Sequence, residues 1–119
     1  HATVLACAHR AIPAFHYMVG VAGGKDIPCV PYATFGTAEL ARHVATGLQD
    51  RDACLMANHG QIAIGPTLGH ALELAAEVEA LSEQYYKVLT LGPANILNDD
   101  EMALLLDKFK TYGRNVAEK

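Results

Sequence analysis

Ala53-Cys54-Leu55-Met56-Ala57-Asn58-His59-Gly60-Gln61-Ile62-Ala63-Ile64 is the stretch on which the reading of the fold turns. Two short apolar runs flank Asn58-His59-Gly60, as expected of buried strands that are antiparallel neighbours, or of one strand bent at Gly60. A histidine at such a junction has its backbone held on both sides, which is how a protein aims an imidazole at a metal ion. The residue types leave two readings open: a metal ligand, or a core histidine satisfied by hydrogen bonds. Asn58 orients the ring or simply makes the turn, and Gly60 permits close backbone approach or a bulge. A catalytic Zn²⁺ takes about three protein ligands plus an open position, and the remaining ligands are hard to find in this chain.

Downstream, Pro66 and Thr67 open the longest periodic segment, a helix to about Leu89. Ala71, Leu74, Ala75, Val78, Leu81, Tyr85 and Val88 recur three and four apart, and Glu83 can pair with Lys87 on the outer face. Gly92-Pro93 ends that helix. Asn98 and Glu101 make a capping-box start for a last helix that buries Met102, Leu105, Leu106 and Phe109 and ends near Gly113. Upstream, Thr37 caps a helix from Ala38 to about Leu48, with Leu40, Val44 and Leu48 on one face. Asp26 to Tyr32 carries Pro28 and Pro31 and is confined to an edge strand or extended loop. The apolar run Ala14–Ala22 fits a short buried strand or a buried helix equally well. Residues 2–9 read as a helix end. Short strands alternating with helices make an α/β layered domain.

With 119 residues, half of them hydrophobic and 18% charged, the chain fits one domain with a real core, and disorder is excluded. Nine Lys+Arg against thirteen Asp+Glu leave no basic patch, so nucleic acid is not an expected partner. No apolar run approaches the ~18 residues of a membrane span, and no signal-peptide pattern opens the chain. Cys7, Cys29 and Cys54 are odd in number and form no CxxC pair, so they read as small buried hydrophobes in a protein of the reducing cytoplasm. The chain opens at His1 directly on a helix, which suggests the C-terminal part of a larger domain.

Tyr17 can act as a general acid where its hydroxyl faces a developing alkoxide, or be an amphipathic core residue with a hydrogen-bonded tip. His16 reads as structural. The Tyr32-Ala33-Thr34-Phe35-Gly36-Thr37 segment could hold an anion at a helix start, but an ordinary loop and cap is the plainer reading. Tyr112, after Phe109 and Lys110, closes a hydrophobic edge. Glu73, Glu77, Glu79 and Glu83 fall mainly on a solvated face, and His43 and His70 on exposed helix positions without visible partners.

Several blocks together resemble one family. They are Ile12-Pro13-Ala14-Phe15-His16-Tyr17-Met18, Asp26-Ile27-Pro28-Cys29, Pro31-Tyr32-Ala33-Thr34-Phe35-Gly36-Thr37, Asn58-His59-Gly60 and Lys108-Phe109-Lys110-Thr111-Tyr112-Gly113. In order and spacing they are similar to the zinc-dependent class II aldolases of the fuculose-phosphate aldolase type, whose wider fold includes ribulose-phosphate epimerases and adducin heads. The resemblance implies a three-layer α/β/α domain with a mixed or antiparallel central sheet, of which residues 1–119 would be the C-terminal part. It implies retro-aldol cleavage of a ketose 1-phosphate to dihydroxyacetone phosphate and a short aldehyde, through an enediolate stabilised by one Zn²⁺ per subunit. By the same resemblance His59 is a zinc ligand and Tyr17 the proton donor at the aldehyde oxygen. Phe35, Phe109 and Tyr112 line the aldehyde pocket.

The family's other zinc histidines, its glutamate and its phosphate loops correspond to positions upstream of His1, and His1 itself matches a histidine just beyond the ligand pair. The resemblance further implies a cytoplasmic homotetramer with sites between subunits. The fragment alone is expected to be inactive. Two alternatives stand beside this reading: a sugar-phosphate epimerase, dehydratase or decarboxylase on the same scaffold, and a non-catalytic adducin-like interaction module.

Overall fold

The structure is a computed structural model that describes the backbone of residues 1–117 and the side chains of residues 1–111. Four helices, α1 (Ala2–Cys7), α2 (Ala38–Gly47), α3 (Leu68–Leu91) and α4 (Asp99–Ala117), surround strands β1 (Cys29–Val30), β2 (Ala53–Met56) and β3 (Gly60–Ala63). The sheet is mixed: β1 runs parallel to β2 and β3 antiparallel to it, in the order β1-β2-β3. A parallel pair needs a crossover, and α2 supplies it.

Alternate residues of β2 point to opposite faces, as the pleat requires, and each face has its own core. Leu55 packs with Ile12, Val19, Ile27, Val78, Leu81 and Met102 in the larger cluster. Cys54 and Met56 pack with Val30 beneath Leu40, Val44 and Leu48 of α2. The helices therefore cover both faces of the sheet, and a strand buried on both faces reads as the unbroken apolar run seen in the sequence. This is the expected three-layer α/β/α arrangement.

The helix starts follow local chemistry. Thr37 Oγ1 accepts from Leu40 N at 3.3 Å, Thr67 Oγ1 accepts from His70 N at 3.2 Å, and Asn98 Oδ1 accepts from Glu101 N at 2.8 Å. Lys87 and Glu83 pair one turn apart at 3.5 Å. The proline-flanked segment forms only the two-residue edge strand β1, preceded by an antiparallel bridge between Ile12 and Ile27. Arg51 locks the approach to β2, its Nη2 donating to Asp26 Oδ1 at 2.9 Å. Gly24 leaves room for that guanidinium, since a Cβ there would lie 2.2 Å from Arg51 Cζ.

Four expectations are corrected. Ala14–Ala22 is neither strand nor α-helix: Tyr17–Ala22 is a 3₁₀ segment that begins at His16, whose Nδ1 accepts from Met18 N, and ends at Gly23 with φ +92°. Helix α4 passes through Gly113 to Ala117, because one interior glycine costs only about 1 kcal/mol and does not by itself stop a helix. His43 and His70 do have partners, Glu39 one turn earlier at 3.6 Å and the capping Thr67 hydroxyl at 2.7 Å. The glutamates of α3 are not simply solvated. Glu79 accepts from Ala2 N at 3.1 Å, and Glu83 pairs with His1 Nε2 at 2.6 Å.

Burial pushes the Cys54 thiol up to about 11, with the nearby Cys29 adding to the rise, and burial also raises Cys29. Against the expectation of three buried cysteines, Cys7 is exposed and Cys29 half-buried; all three thiols are free. Thiolate is the reacting form, so at pH 8 a thiol reagent is expected to label Cys7 first and Cys54 only on unfolding, read by mass spectrometry of timed digests. Since the unfolded thiol ionises before the folded one, Cys54 makes stability fall as pH rises above the ordinary thiol value.

Candidate functional site

The hairpin between β2 and β3 turns through Ala57-Asn58-His59, with Met56 and Gly60 paired across its base. Asn58 stands at φ +59°, the left-handed conformation that asparagine tolerates better than most residues. His59 N donates to Met56 O at 3.0 Å and closes the turn. The other two N–H groups reach other elements: Ala57 N donates to Val30 O of β1 at 3.1 Å, and Asn58 N to Ala6 O of α1 at 3.0 Å. All three loop amides are thus spent, each on a different element, and the His59 backbone is fixed from three sides.

His59 is solvent-exposed at this tip, so it is not a core histidine. Gly60 is buried as the first residue of β3 and makes no bulge, and a Cβ there would meet only Thr3 Oγ1, at 3.5 Å. An exposed imidazole on an immobilised loop fits a metal ligand. It is a single donor. Among the described residues no three His, Cys, Asp or Glu side chains gather closely enough to hold an ion.

Tyr17 opens the 3₁₀ segment and is 51% exposed. Its ring stacks on His16, with centroids 4.9 Å apart and planes inclined by 24°. His16 accepts from Met18 N through Nδ1 at 3.1 Å, which fixes its ring and makes it a platform for Tyr17. Tyr17, Met18, Val21, Leu105, Lys108 and Phe109 line a groove of about 780 Å³ between the 3₁₀ segment and α4. Phe109 lies on Gly20, where a Cβ would come within 2.7 Å of the ring. Tyr17 and Phe109, both assigned to the aldehyde end by the resemblance, thus border one groove.

Phe35 is 81% exposed on the loop before α2 and does not line that groove. In the same loop Thr37 Oγ1 donates to Thr34 O at 2.6 Å, an ordinary loop closure and cap. The side chain of Tyr112 lies outside the described residues. His59 and Tyr17 share no described cleft: one stands at the hairpin tip beside α1, the other beside α4.

Sequence reasoning missed His9. Its Nε2 bonds Asn58 Oδ1, and its backbone stands at φ +53°. The available signal was a helix end near Ala8 with no glycine after it.

The chain matches the family described as the class II aldolase and adducin N-terminal domain over residues 1–86. It is 58% identical over 113 residues to the 5-methylthioribulose-1-phosphate/5-deoxyribulose-1-phosphate aldolase of Rhodospirillum rubrum, covering 95% of this chain and 51% of that protein. It is 50% identical over 119 residues to the L-fuculose phosphate aldolase of Escherichia coli K12, covering 99% of this chain and 55% of that one. A solved L-fuculose 1-phosphate aldolase superposes with a TM-score of 0.88 at 44% identity, over 92% of this chain and 51% of its own. The chain spans about half the length of the curated relatives it matches.

Proposed function

Because the chain belongs to the class II aldolase and adducin family, and to its fuculose-phosphate aldolase type, we propose that the intact protein is a divalent-metal-dependent aldolase. It cleaves a ketose 1-phosphate to dihydroxyacetone phosphate and a short aldehyde. The observation that carries this reading is His59, an exposed imidazole on a loop whose three amides are all tied down. A non-catalytic module has no use for such a group.

In this reading His59 is one ligand of a Zn²⁺ site that the rest of the protein completes. When bound, the ion supplies Lewis-acid stabilisation of the negative charge left on the ketose half as the carbon–carbon bond breaks. Tyr17 exchanges the proton of the aldehyde-side oxygen, and its stack on His16 sets the direction of the phenol. Phe109 and the apolar groove beside it exclude water from the aldehyde end, and Phe35, which stands outside that groove, would close the pocket from a second subunit. His59 and Tyr17 share no described cleft, which is what a site shared between subunits of a cyclic homotetramer would require.

The identities favour testing two substrate types side by side. The methylthioribulose/deoxyribulose-phosphate enzyme is the more similar to this chain in sequence, and the fuculose-phosphate enzyme is matched over more of it. An apolar groove suits an aldehyde with a methylthio or deoxy end. The decisive experiment incubates the intact protein with L-fuculose 1-phosphate, 5-deoxyribulose 1-phosphate and 5-methylthioribulose 1-phosphate. Dihydroxyacetone phosphate is measured by coupled reduction, with and without EDTA. Release that EDTA abolishes supports the aldolase. An epimer, a dehydrated product or CO₂ would put the chemistry in the neighbouring enzyme classes, and a protein that binds no metal and turns over nothing would be the interaction module.

Tyr17→Phe keeps the stack and removes the proton. It is expected to lower kcat by about 10²–10⁴-fold with KM near its original value, measured on the preferred ketose phosphate.

A further inference from the structure

Among the described residues, His9 and Asn58 are the two non-glycine residues with positive φ, at +53° and +59°. Each occupies a position at which glycine is the usual solution. Asn58 makes the hairpin turn. His9 follows α1 as the first residue beyond its cap, where Arg10 N donates to Leu5 O at 3.0 Å and His9 N to Ala6 O at 3.1 Å. That bonding is a Schellman ending, and a left-handed glycine commonly fills the place His9 takes. Shape alone would be met by two glycines. Two polar side chains stand there instead, on loops 49 positions apart, and they bond each other, with His9 Nε2–H donating to Asn58 Oδ1. Ala6 O, part of the same helix ending, also accepts from Asn58 N at 3.0 Å.

We infer that His9 and Asn58 are positioning residues whose side-chain bond locks the hairpin tip to the end of α1 and so sets where the His59 imidazole stands. The inference rests on the reading of His59 as a metal ligand. Asn58 adjoins His59 directly, and rotation of the tip about the base of its hairpin is the motion that the bond to His9 opposes. The backbone bonds alone leave one anchor on α1, at Ala6; the side-chain bond makes two.

The test uses Asn58→Gly and His9→Gly in the intact protein. Glycine keeps the positive φ and deletes only the link. Zn²⁺ affinity is measured by competition with a chelating dye, and stability by unfolding of the metal-free protein. Each glycine variant is expected to keep its metal-free unfolding midpoint and to bind Zn²⁺ about 10–100-fold more weakly. The double variant should be no weaker than either single one, because both remove the same bond. Asn58→Asp, which keeps the acceptor, should restore binding towards the original value.

Unchanged Zn²⁺ affinity in both glycine variants would overturn the inference. So would losses that multiply in the double variant. A drop in metal-free stability with intact affinity would assign the bond to the fold alone. His59→Ala, run alongside, separates the two claims. If it loses Zn²⁺ while the glycine variants keep it, only the positioning role fails. If it binds Zn²⁺ as before, the ligand reading fails and takes the inference with it.

Discussion

Replacing His59 by alanine in the intact protein is expected to abolish stoichiometric metal binding and to slow carbon–carbon cleavage by at least about 10³-fold. Loss of the Lewis acid removes several kcal/mol of stabilisation from the charge that develops on the ketose half. The fold should scarcely notice. His59 is exposed at a hairpin tip held by backbone amides, and surface substitutions of that kind change stability by about 0.5 kcal/mol or less. The measurements are elemental analysis for bound metal, dihydroxyacetone phosphate release, and thermal unfolding of the metal-free protein. A variant that cleaves substrate at the original rate would remove His59 from the site.

Leu81→Ala is expected to have the largest effect on stability, at about 3–5 kcal/mol. Leu81 is fully buried on α3, in the cluster that joins α1, β2 and Met102 of α4. Alanine there loses the transfer energy of the missing carbons and leaves a cavity where helices meet the sheet, with little freedom to collapse. Domains are stable by only about 5–15 kcal/mol, so urea unfolding should show a midpoint displaced by a large part of its original value. Gln84→Ala, three residues along on the exposed side of the same helix, should leave the midpoint nearly unchanged. Equal shifts in the two variants would mean that the core is placed wrongly.

The parts of this fold legible in the sequence are those with local causes. Thr37, Thr67 and Asn98 announce helix starts because each satisfies an amide three residues away. The apolar runs about His59 announce two short buried strands, and the structure joins them as an antiparallel hairpin where one bent strand was the other reading. What stayed hidden depends on contacts between distant residues. The run Ala14–Ala22 becomes 3₁₀ where it packs beneath Phe109 at Gly20, and no property of the run itself decides that. Glu79 and Glu83 look solvated along the α3 helix until the start of α1 lands on them.

The site divides in the same way. Period and turn chemistry mark His59 as a held histidine, but its exposure, which removes the core reading, emerges only with the fold. Tyr17 carries no signal of its own role without the family resemblance, and the groove it shares with Phe109 is a tertiary fact. The His9–Asn58 bond joins loops 49 positions apart and leaves a trace only as a helix end without its glycine.

Ala57, Asn58 and His59 take their shape from Val30, Ala6 and Met56, partners scattered through the first half of the chain. Only the bond to Met56 is local. The bonds to Ala6 and Val30 come from elements far away in sequence, so the turn residues alone do not supply them. The tip therefore owes its form to the seating of the hairpin on α1 and β1 as well as to its own turn residues. An ion held at His59, as proposed, would meet a loop shaped by the chain itself, the reverse of a zinc finger, in which the ion drives the chain to fold. In the folded protein the same wiring gives the tip and α1 a backbone bond in common, so that neither can be displaced without breaking it.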